Sequence, residues 1–102
     1  MAEHSLTNEL RSELEMIERT IKILDVVKKE QPIGINKLSE KMDIEEHKIR
    51  YSLRLLQKDK IIEPTKHGAS LTEKHEKFER ELIEELKDMG KTIEELTGML
   101  PR

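Results

Sequence analysis

The basic side chains Lys48, Arg50, Arg54 and Lys58 lie along DIEEHKIRYSLRLLQKDKIIE, residues 43–63. Guanidinium groups one helical turn apart can donate paired hydrogen bonds to phosphate oxygens or to the O6 and N7 edge of guanine. Whether these residues share a face follows from about 100° of rotation per residue. With Ile44 at zero, Ile49, Leu53 and Leu56 fall at roughly 140°, 180° and 120°, a compact apolar face. His47, Arg50, Tyr51, Arg54 and Lys58 fall at roughly 300°, 240°, 340°, 280° and 320°, on the opposite side. Glu45 and Glu46, at roughly 100° and 200°, flank the apolar face, so the acids are expected to lie mostly clear of the basic one. A helix dipole favours each first-turn acid by roughly 0.3–1 kcal/mol, which is reason enough for their presence. Glu46, the nearer to the basic side, has a second option as acceptor for a cytosine amino group. Leu55, at roughly 20°, is off the core face. A merely solvated helix face has a similar composition, so the surrounding elements must decide.

Other chemistries find little support. The histidines His4, His47, His67 and His75 show no metal-ligand spacing, and there is no cysteine for a thiolate site or a disulfide. Glu84-Glu85 and Glu94-Glu95 are neighbours in a helical stretch, where adjacent carboxylates diverge and read as solvated charge. No nucleophile triad or phosphate-cradling glycine loop is present. The expectation is a protein that is not an enzyme, with no metal and no cofactor.

The elements that must position residues 43–63 are legible from periodicity and punctuation. Leu6, Leu10, Leu14, Ile17, Ile21, Leu24 and Val27 recur at spacings of four and three, one stripe of a long first helix that Gln31-Pro32 must end. Ser5, Thr7 and Ser12 are all plausible caps, so its start within the first ten or so residues is open. Ile33-Gly34-Ile35 is long enough only for a bridge, and Asn36 suits the N-cap of a short helix from Lys37 to Met42. After a turn at Asp43 a helix is expected from about Glu45 to Lys58. IIEPT, KHG and ASL, residues 61–71, then read as strand, tight turn and strand. A last helix is expected from Thr72-Glu73, its apolar residues Phe78, Leu82, Leu86, Met89, Ile93, Leu96 and Leu100 close to a heptad seam. Gly90, with Thr92 and Glu95 as a potential new cap, leaves a break there open.

Composition limits the partners. Charged residues make up 40% of the 102-residue chain and aromatics 2%, and the net charge is −3, so any nucleic-acid contact must come from a local patch. The middle segment, residues 31–72, is the net-basic one, with eight Lys/Arg against six Asp/Glu. No apolar run approaches membrane-spanning length and MAEHSLTNEL has no signal-peptide apolar region. A cytoplasmic protein without a membrane partner is expected.

This order of elements resembles the winged helix-turn-helix of prokaryotic transcriptional regulators. ILDVVKKEQPIGINKLSEKM (23–42) is similar to the family's first two helices, DIEEHKIRYSLRLLQKDKII (43–62) to its turn and recognition helix, and SLTEKHEKF (70–78) to the strand and helix start after the wing. With its heptad-like terminal helix the chain is most similar to small archaeal winged-helix proteins that dimerise through a coiled coil. Asp43 stands where the family often has glycine, and Glu45 where serine or threonine is usual.

The resemblance implies a mainly α fold with a small β-hairpin (α+β) and long terminal helices. Residues 1–16 would extend the first helix, 17–72 form the winged helix-turn-helix, and 73–102 the dimerisation helix. It implies a homodimeric regulator contacting double-stranded DNA through His47, Lys48, Arg50, Tyr51, Arg54 and Lys58, with Lys66 and His67 at the wing tip. Leu10, Leu14, Phe78, Leu82, Leu86, Met89, Ile93 and Leu96 are expected at the dimer interface, since leaving such stripes open would create a large apolar patch. The principal alternative is a winged-helix module that binds a protein partner and not DNA; a purely structural oligomerisation module is the third.

Overall fold

The computed structural model describes residues 4–102, a mainly helical chain with one two-stranded antiparallel hairpin. Its elements run α1 (Ser5–Glu30), α2 (Ile35–Met42), α3 (Glu46–Lys58), β1 (Ile62–Thr65), β2 (Gly68–Leu71) and α4 (His75–Met99). They divide into two compact units, the first ending at Thr72 and the second spanning Glu73–Arg102.

In the first unit α1 enters the core with Leu24 and Val27 of its expected stripe and with Ile23, whereas Ile21, expected on the same stripe, is 40% exposed. The helix begins at Ser5, with His4 as its N-cap residue and no side-chain cap, so none of the candidate hydroxyls serves that role. It ends as the proline requires: Gln31 turns extended, its N–H still donating to the Val27 carbonyl at 2.9 Å. The Gln31 side chain then accepts from the Leu71 N–H at 2.8 Å, tying the helix end to β2.

Helix α2 starts at Ile35, two residues before the expected Lys37, with Gly34 and not Asn36 at its N-cap. Its C-cap, Asp43, lies in the left-handed region at φ 53°, ψ 49°, a conformation that aspartate tolerates better than most residues. The Ser39 hydroxyl donates to the Ile44 carbonyl at 2.6 Å and so closes the turn into α3.

The hairpin pairs Ile62 with Leu71 and Thr65 with Gly68, leaving Lys66-His67 as a two-residue tip. Thr65 stiffens that tip, its hydroxyl donating to the Gly68 carbonyl at 2.6 Å and accepting from the His67 N–H at 3.2 Å. Ile33 pairs with Ala69 on the other edge of β2, through bonds of 2.8 and 3.1 Å, which is the expected bridge. This close approach explains Gly68: at φ 128° a Cβ there would lie 2.4 Å from the Ile33 carbonyl carbon. Thr72, expected to open the last helix, instead seals the hairpin base, donating from its N–H to Ile61 at 2.9 Å and from its hydroxyl to Lys60 at 2.5 Å. The core comprises Ile23, Leu24 and Val27 of α1, Leu38 of α2, Ile49, Leu53 and Leu56 of α3, and Ile33, Ile61, Ile62 and Ala69 around the hairpin.

The second unit is a single helix. α4 passes through Gly90 without a break, and Thr92 hydrogen-bonds back to the Asp88 carbonyl at 3.4 Å where a new cap had been an open alternative. None of its residues is buried.

Candidate nucleic-acid interface

Helix α3 divides as its periodicity requires. Ile49, Leu53 and Leu56 are buried, while His47, Lys48, Arg50, Tyr51, Arg54 and Lys58 are exposed. One residue departs from the simple wheel, since Leu55, at roughly 20°, is half-buried. Ser52, which the same step puts at roughly 80°, beside Leu56, is fully buried, a polar position on the edge of the packed face that a search for apolar residues passes over.

Arg50 and Arg54 line an open cleft of about 650 Å³ between α3, the start of α2 and the hairpin. Asn36, Lys37 and Gln57 share its walls with Thr65 and Pro64 of β1, and Ile33, Leu53, Ile62 and Ala69 form its floor. Asn36 and Lys37 were not among the expected contacts. Only the folding of α2 beside α3 brings them to the same cleft, and nothing in residues 43–63 points to them. Two arginines and a lysine around a shallow cleft, without an ion pair among the described residues, provide donors for phosphate oxygens and base edges. Lys66 and His67 project at the exposed hairpin tip.

The acids are not all clear of the basic side chains. Glu45 lies at the N-cap of α3 with ψ 140°, outside helical geometry, so a helical wheel does not describe where it points. Its carboxylate is 3.5 Å from His47 Nδ1 and 3.8 Å from Lys48 Nζ. Lys48 also lines a second shallow groove, toward α1, with Glu15, Glu18, Arg19, Lys22 and Asp43. The eight expected contact residues are therefore all exposed but not equivalent: Arg50 and Arg54 share the cleft, whereas Lys48 sits among acids on another side.

Of the residues expected at a dimer interface, Leu10 and Leu14 are 49% and 46% exposed on α1. On α4, Phe78, Leu82 and Leu86 are half-buried, and Met89, Ile93 and Leu96 are exposed. Among the described residues no helix is long and apolar enough to cross a membrane, and no group of three His, Asp or Glu residues is arranged to hold a metal ion.

A comparison with curated proteins gives no match. A family match does cover residues 16–89, from the inner half of α1 through the hairpin and well into α4, and it includes all of the cleft. The family is described as the CggR N-terminal DNA binding domain. The exposed arginines beside a hairpin thus lie on a fold whose relatives are defined by DNA binding, and the chain belongs to the CggR N-terminal DNA binding domain family.

Proposed function

We propose that the protein is a winged-helix transcriptional regulator that contacts double-stranded DNA through α3 and the hairpin tip and acts as a homodimer. The observation that carries this reading is the pair Arg50 and Arg54, one helical turn apart on an exposed face and lining the cleft beside the hairpin. In this reading α3 enters the major groove, Arg50 and Arg54 contact guanines or phosphates, and Tyr51 and Lys58 flank them on the backbone. His47 and Lys48 contribute less, because Glu45 competes for both. Lys66 and His67 touch the neighbouring backbone or minor groove, and Lys37 adds a phosphate contact. Residues 17–72 form the winged helix-turn-helix, 1–16 extend α1, and 73–102 serve dimerisation.

The dimer reading rests on exposed apolar surface. Leu6, Leu10 and Leu14 on α1, and Met89, Ile93, Leu96 and Met99 on α4, are each more than two-fifths exposed. Soluble single chains seldom leave such stripes open, and pairing them as a coiled coil with a second copy, in the manner of small archaeal winged-helix proteins, covers them.

Titration of duplex DNA binding against salt is the decisive measurement. A log–log slope of about −4 to −7, for roughly four to eight phosphates neutralised per dimer, is expected. No binding even at low salt would replace this reading with that of a protein-interaction module.

A further inference from the structure

Ser52 is the one buried polar residue among the described residues, 0% exposed, and it sits on the helix that carries Arg50, Tyr51 and Arg54. It faces α1. The hydroxyls of Ser52 and Thr20 are 2.8 Å apart, and Arg19 Nε donates to Ser52 Oγ at 3.4 Å. The Thr20 hydroxyl is also 2.8 Å from the Met16 carbonyl, so Thr20 has a fixed place on α1 whether or not Ser52 is present.

Burial of Ile49, Leu53 and Leu56 holds α3 against the core, but the hydrophobic driving force is itself non-directional. A buried hydroxyl pair is directional. It gains little net stability over a well-packed apolar pair, while any rotation that separates the two oxygens leaves the buried Ser52 hydroxyl with only the longer Arg19 contact. Rotating a helix by about 10° moves a side-chain tip about 6 Å from the axis by about 1 Å. A bidentate contact to a base edge does not survive that displacement, since such constellations must be held to about 0.5 Å. A flexible side chain meeting a phosphate adjusts to it.

We propose that the Thr20–Ser52 hydroxyl pair, backed by Arg19, is a positioning device that sets the rotation of α3 on α1 and thereby governs discrimination between DNA sequences more than overall DNA affinity. The proposal rests on the reading of Arg50 and Arg54 as DNA contacts. Thr20 and Ser52 themselves touch no DNA, and the pair joins two helices within the first compact unit.

The test compares the full chain with Ser52→Ala, Thr20→Val and the double variant, each against two probes: the duplex most enriched by wild type from a random-sequence pool, and the unselected pool. Ile23→Val, which trims the buried core without touching the hydroxyls, serves as the stability control. Either hydroxyl deletion should lower the ratio of selected to unselected affinity by about tenfold or more, the scale of one lost bidentate base contact. Affinity for the unselected pool and its salt slope should stay within about twofold of wild type, because phosphate contacts tolerate the displacement. The double variant should be no worse than either single one, since both remove the same interaction. Ile23→Val should keep the ratio even where it lowers the melting temperature as much as Ser52→Ala does. Should Ser52→Ala fail to fold, the near-isosteric Thr20→Val carries the same comparison. Unchanged ratios in a wild type that does discriminate overturn the positioning role alone, and so does a ratio that falls equally in Ile23→Val. A wild type that enriches no duplex overturns the reading of the arginines as sequence contacts, and the positioning role with it.

Discussion

Arg54 and Gly68 show two different ways in which a single residue is fixed by its surroundings. Arg54 is exposed, on the far side of α3 from the buried Leu56, so nothing in the fold depends on its guanidinium. Arg54→Ala should therefore weaken duplex DNA binding by about 1–3 kcal/mol, measured by fluorescence anisotropy, with the melting temperature unchanged within error. Gly68 is the reverse case, since an added Cβ meets the Ile33 backbone at 2.4 Å and the φ of 128° disfavours any other residue. Gly68→Ala should destabilise the protein by about 2 kcal/mol or more in urea titration, through loss of the Ile33–Ala69 bridge. Glu45 falls between these cases. The wheel placed it on the flank of the core face, but its position at the N-cap lets the carboxylate reach His47 and Lys48. Glu45→Gln should thus raise affinity for unselected DNA several-fold at low salt, and a value equal to wild type would mean that the two bases do not meet phosphates.

At the scale of elements, the contrast lies between α1, which buries Ile23, Leu24 and Val27 in the first unit, and α4, none of whose residues is fully buried. The distal half of α4 carries Met89, Ile93, Leu96 and Met99 at 42–77% exposure on a helix otherwise rich in charge. A lysine placed there loses nothing within the single chain, so its effect isolates association from folding. Leu96→Lys is expected to shift sedimentation from dimer to monomer at micromolar concentrations with helical circular dichroism retained. A dimer of undiminished stability would place the interface elsewhere, with the exposed Leu6, Leu10 and Leu14 of α1 as the next surface to change.

Across the whole molecule, a net charge of −3 limits how strongly DNA can be held. Binding to unselected duplex should be micromolar or weaker at physiological salt and should fall steeply as salt rises, by the same counterion release that sets the slope of about −4 to −7. The amino-acid sequence by itself determined the order of elements, because apolar spacing of three and four, the proline at 32 and the turn residues 66–68 are local signals that do not depend on distant contacts. It also determined the two faces of α3, since helical geometry alone separates Ile49, Leu53 and Leu56 from Arg50 and Arg54. Tertiary structure decided what involves residues far apart in the chain. Thr72 closes the hairpin against Lys60 and Ile61 and does not begin a helix, because those carbonyls offer it partners. Lys37 and Asn36 join the arginine cleft only when α2 packs beside α3, and Ser52 gains its partners only because Thr20 and Arg19, more than thirty residues earlier, meet it from α1. Glu45 escaped the wheel for the same kind of reason: periodicity describes residues inside a helix, while the direction of a cap residue is set by the turn that precedes it, here closed by Ser39 and the left-handed Asp43.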